Sequence, residues 1–188
     1  MEEPIGSPEL ERELLVMRED DLDDADYQVR EVYAQYGLTN YSSQVLEKGI
    51  LNTLVLKANS ESPTPTAQNF DVLFAKYARL PFGQLLASFQ KALPAETEAY
   101  DVLARALPLR NFIAHTFFWD RAVDFHSFSG REAMLSELMK AREVFESADA
   151  LVNQVTRRVA AAAGIDADTF DRRLAEATDD LHARIPTD

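Results

Sequence analysis

Apolar residues recur at three- and four-residue spacing along nearly the whole chain, and no alternating stretch is long enough to predict a strand. Val45, Leu46, Ile50, Leu54 and Val55 make one such stripe, which predicts a helix over about 41–58. Leu15, Leu22, Val29 and Tyr36 recur every seven residues after Ser7-Pro8, a helix-opening pair, and Gly37 is placed to stop that helix. Asn59–Thr66, with Ser62-Pro63-Thr64-Pro65, predicts a loop. Asn69 is the expected cap of a third helix ending before Pro81, and a fourth spans about 82–93, stopped by Pro94. The pattern stays helical over 96–125, with a break or kink expected at Pro108, which removes a donor and crowds the preceding turn. Ser129-Gly130-Arg131-Glu132 has capping-box spacing and predicts a long helix over about 130–163, closed by Gly164. A more polar helix is expected over 168–183. The expectation is all-α: one helical domain over 1–188, with an acidic N-terminal helix (1–37), a bundle (38–164) and a C-terminal helix (165–188).

Composition narrows the chemistry. The chain has no cysteine, which removes disulfides, thiolate nucleophiles and cysteine–zinc sites and fits a reducing, cytoplasmic compartment. The start of the chain is acidic without an apolar core, so no signal peptide is expected there, and no apolar run approaches the ~18 residues of a membrane span. The net charge of −13 is concentrated at one end: residues 1–31 hold twelve acids against three arginines. No lysine/arginine stripe of nucleic-acid-binding type is visible, so any contact with nucleic acid must be local. The glycines are isolated, which excludes phosphate-cradling and dinucleotide motifs. Three histidines without a His-Glu-x-x-His pattern argue against catalytic zinc, and the Asp120/Asp124 pair reads as a solvated edge. Neither metal nor cofactor is expected.

Residues 109–128 stand apart. Phe112, Ile113, Phe117, Phe118, Trp119, Val123 and Phe125 would cover most of a helix, predicting a helix buried against several neighbours or a second subunit. Asn111, His115, Trp119 and His126 would share one stripe. Arg110 precedes His115 by five residues, about 140° around an ideal helix, so one helix does not join them unaided. A distorted turn after Pro108 or a symmetry mate would be needed. The plainer alternative is a core histidine bonded to Asn111 or a carbonyl, beside an arginine paired with an acid.

Leu109-Arg110-Asn111-Phe112-Ile113-Ala114-His115, followed by Phe117-Phe118, resembles the Arg-x(4–6)-His signature of HEPN domains, which are bundles of mostly antiparallel helices. The preceding Leu80-Pro81-Phe82-Gly83-Gln84-Leu85-Leu86 is similar to the segment before that motif in uncharacterised bacterial proteins of this kind, so the resemblance covers about 70–150. It implies a homodimeric, metal-independent ribonuclease of a toxin–antitoxin or phage-defence system, with an antitoxin or other protein partner. His115 would move protons as the RNA 2′-OH attacks the adjacent phosphate. Arg110 would stabilise the extra negative charge, and Asn111 would orient His115 or a phosphate oxygen. Some toxin members carry a modifiable tyrosine where this chain has Phe117. Other HEPN domains are non-catalytic, which keeps open an interaction or regulatory subunit as the alternative.

Overall fold

The computed structural model describes residues 24–63, 65–166, 168, 169 and 172. The expected opening at Ser7-Pro8, and almost all of the expected helix over 168–183, lie outside these residues. Among the described residues every regular element is helical: α1 (Asp24–Ser60), α2 (Ala67–Tyr77), α3 (Phe82–Ala92), α4 (Thr97–His115), the single turn α5 (Phe117–Asp120), a 3-10 turn (Asp124–His126) and α6 (Phe128–Ala162). The all-α expectation is met.

α1 runs straight through Gly37, where a stop was expected. A glycine inside a helix costs roughly 1 kcal/mol relative to alanine. Here the turns on either side bury Val32, Thr39, Ser43 and Leu46, and that packing outweighs the cost. The two predicted helices are therefore one, 37 residues long. α4 likewise passes through Pro108 without ending there. Pro108 faces solvent, and so does Ala104, whose carbonyl loses its helical partner and is left to water.

Two caps lie upstream of their expected places. Thr66, not Asn69, caps α2: its hydroxyl accepts from the Asn69 backbone N–H at 3.1 Å, while the Asn69 amide donates to Asn59 across the loop at 2.8 Å. Ser127, not Ser129, caps α6 by accepting from the Gly130 backbone N–H at 3.1 Å. Gly164 closes α6 as expected, with φ of +79°, and Ile165 and Gly164 donate back to Ala160 and Ala161 at 3.0 Å each.

The long helices α1 and α6 form the spine, and they are parallel. Gln28 accepts from Arg131, and Thr53 meets Thr156, each pair 103 residues apart; Thr39 donates to the Leu138 carbonyl 99 residues on. A nearly constant separation means that both helices advance in the same direction, where the HEPN resemblance implied mostly antiparallel neighbours. α4 runs against them, since Glu96 pairs with Arg158 near its start and Arg121, just past its end, with Glu137. The core is continuous across Leu46, Ile50 and Leu54 of α1, Leu85 and Phe89 of α3, Leu103 and Ile113 of α4, and Met134, Leu138, Phe145 and Val152 of α6.

Residues 109–128 do not form one buried helix. The chain leaves α4 at Thr116 and turns twice before α6. Phe117 is buried, but Trp119 and Val123 are 86% and 85% exposed, and because α4 ends at His115, Asn111 and His115 share no helix stripe with Trp119 and His126 on the later turns. The turn is held by rings: Phe118 packs on Tyr33 and Tyr36 of α1 at centroid distances of 5.3 and 4.8 Å, and Phe117 meets Phe112 at 5.6 Å. Arg121 locks it to α6 with two bonds of 2.8 Å to Glu137, its guanidinium lying over the Phe112 ring. That doubly bonded carboxylate raises the Arg121 pKa, so the lock stays charged.

Candidate functional site

Arg110, Asn111 and His115 occupy the last two turns of α4, and His115 is its final residue. Arg110 is half-buried, Asn111 and His115 exposed. Arg110 Nη1 lies 3.4 Å from His115 Nε2 and 3.5 Å from Asn111 Oδ1. The sequence expectation that a single helix would not join Arg110 to His115 is thus corrected. Neither a distorted first turn nor a symmetry mate is needed, because the long arginine side chain runs along the helix to its open end. Arginine has only donors, so a hydrogen bond in this contact takes the lone pair of His115 Nε2.

The other edge of the guanidinium faces α1. Arg110 Nη2 lies 3.3 Å from Glu47 Oε2, an ion pair in which both side chains are 26% exposed. Sequence reading expected an acid beside this arginine only in general terms and did not find Glu47. The two residues are 63 positions apart, and nothing local marks the pair. Glu47 belongs to a polar strip on α1, with Asn40, Ser43, Gln44 and Lys48, that faces Arg110 and Ala114 across an open recess of about 410 Å³. That size suits a small ligand group. Ala114 keeps the α4 wall low, and His115 joins the recess through Arg110.

The arrangement offers a permanent cation, an exposed histidine in contact with it, an amide, and a solvent-open approach. A histidine buried in the core is not what is found. Among the described residues no group of three His, Asp or Glu side chains is placed to hold a metal ion, and no helix is long and apolar enough to cross a membrane. Comparison with protein-family models, with curated proteins and with solved structures gives no match for this chain.

Proposed function

We propose that the chain is a HEPN-like, metal-independent RNA endonuclease, and the observation that carries this reading is the exposed Arg110–His115 contact of 3.4 Å. A substrate phosphate draws the Arg110 guanidinium off His115 Nε2, which then takes the proton of a ribose 2′-OH, and the freed oxygen attacks the adjacent phosphorus. The bond to the 5′-oxygen breaks, and that oxygen takes a proton from the His115 imidazolium or from water as it leaves. The products are a 2′,3′-cyclic phosphate and a 5′-hydroxyl, which restricts the substrate to RNA. Arg110 neutralises the charge gathering on the phosphorane oxygens, and Asn111 holds the guanidinium or a phosphate oxygen. The cycle draws only on these side chains and uses neither metal nor cofactor.

The working form is a homodimer in the cytoplasm, acting in a toxin–antitoxin or phage-defence system with an antitoxin or other protein partner. Trp119 and Val123, apolar and exposed just beyond His115, supply a surface for the second copy. A second reading, a non-catalytic interaction subunit, is favoured by Glu47, which sets an anion where an anionic substrate would come.

Purified protein incubated with single-stranded RNA in EDTA is expected to cut it, leaving cyclic-phosphate ends. His115→Ala should lower the rate by at least ~100-fold and Arg110→Ala by a similar factor. Intact RNA with wild-type protein, together with marked unfolding on removal of either side chain, would favour the interaction subunit instead.

A further inference from the structure

The Arg110 guanidinium is shared between two sides. Nη1 serves Asn111 and His115 on its own helix, while Nη2 is taken by a carboxylate reaching over from α1. The carboxylate lies in the polar recess, which is lined as well by Asn40, Gln44 and Lys48, the Lys48 ammonium lying 5.9 Å from the Phe74 ring. An anion held at an arginine, next to a lysine and neutral hydrogen-bonding groups, has the surroundings of a bound phosphate. Its contact is 3.3 Å long and partly exposed, so it is worth little and opens readily. A phosphodiester offers the same guanidinium edge two oxygens in fork geometry and is the better partner.

We propose that Glu47 is a built-in competitor for RNA: its carboxylate occupies the Arg110 edge that a substrate phosphate takes over, and it must swing aside before the phosphate binds. This rests on the ribonuclease reading and adds a regulatory residue to the same site. Its consequence is selectivity. A stray polyanion that touches Arg110 alone must offset the loss of the Glu47 pair. An RNA that also engages Lys48 and the amides of the recess gains enough. Loss of the Glu47 charge therefore strengthens phosphate binding at Arg110.

The test is binding of a short, fluorescent, 2′-O-methyl single-stranded RNA, which cannot be cut, followed by anisotropy at fixed salt. Glu47→Gln should bind about two- to fivefold more tightly than wild type. Glu132→Gln makes the same change in net charge at an exposed site in the first turns of α6 and should bind like wild type. Arg110→Ala combined with Glu47→Gln should abolish the gain, and inorganic phosphate should compete more effectively against Glu47→Gln than against wild type. Glu47→Ala, with helicity checked by circular dichroism, should show the same gain if the glutamine variant folds poorly. Binding by Glu47→Gln equal to or weaker than that of Glu132→Gln overturns the proposal and leaves Glu47 a support for Arg110. Because the probe cannot be cleaved, the two readings fail separately. A gain in affinity without cleavage of natural RNA by wild type removes the ribonuclease and keeps the competitor, and cleavage without the gain does the reverse.

Discussion

Thr53 on α1 and Thr156 on α6 face each other through hydroxyl oxygens 2.6 Å apart. Each hydroxyl is also 2.8 Å from a carbonyl of its own helix, Gly49 for Thr53 and Val152 for Thr156. Two protons cannot serve three contacts at once, so one back-bond is always given up for the bridge. Thr53→Val or Thr156→Val leaves the surviving hydroxyl able to satisfy itself on its own carbonyl. Each single change should therefore cost no more than about 1 kcal/mol, and the double mutant should fall short of the sum by about 0.5–1 kcal/mol. Urea denaturation of the four proteins measures this; strict additivity would mean that the bridge contributes nothing.

Asp149, one turn of α6 before Asn153, is raised above the ordinary carboxylate pKa by burial, and the Asn153 amide at 2.9 Å opposes the shift only in part. A folded-state pKa above the unfolded one means that the charged form destabilises the fold. The penalty is absent below the unfolded value, 3.8, and grows to its full size as pH rises through the folded one. Asp149→Asn should stabilise the protein at pH 7 by roughly 0.5 kcal/mol, a figure discounted for partial exposure. Melting curves at pH 7 and pH 3.5 should show the gain shrinking in acid, and a gain that grew in acid would contradict the sign.

Two glycines should respond to alanine in opposite directions. A Cβ on Gly130 would press into the Asp124 backbone carbonyl, which belongs to the turn that α6 caps and cannot retreat freely. Gly130→Ala should cost about 2–3 kcal/mol. A Cβ on Gly37 meets nothing within 4 Å in the exposed middle of α1, so Gly37→Ala should add about 0.5–1 kcal/mol. Denaturant midpoints moving the same way for both would refute this account.

Much of the helical layout was legible because Pro81, Pro94 and Gly164 act locally, on the backbone of their own turn. Gly37 misled, and Pro108 did not end its helix, for the complementary reason: both lie on exposed faces of helices whose other faces are deeply buried, and tertiary packing overrode a local preference. The end of α4 at Thr116 was hidden by the aromatic run around it. Those aromatics look like one buried helix in sequence, but they pack by turning back on Tyr33 and Tyr36, more than 70 residues earlier. At the candidate site, Arg110, Asn111 and His115 were visible as a motif. Glu47 was not, since a one-to-one ion pair across 63 residues leaves no periodic trace.

The chain's one tryptophan, Trp119, reports on self-association. It is 86% exposed, so dilute protein should emit at the wavelength of indole in water and be quenched strongly by iodide. If a second copy covers Trp119 and Val123, raising the concentration should shift emission to the blue and protect it from iodide. Emission unchanged up to high micromolar concentration would place any dimer contact elsewhere.

The parallel pairing of α1 with α6 bears on synthesis. Gln28 and Thr53 find their partners only about 100 residues later, and α6 supplies much of the core. A nascent chain that has emerged from the ribosome only as far as α4 therefore holds its longest helix with its main apolar partner still unmade. Such contacts of long sequence separation form late and slowly. Co-translational assembly of this bundle must wait for α6, and until then the nascent chain exposes Leu46, Ile50 and Leu54 as a surface for a chaperone to shield.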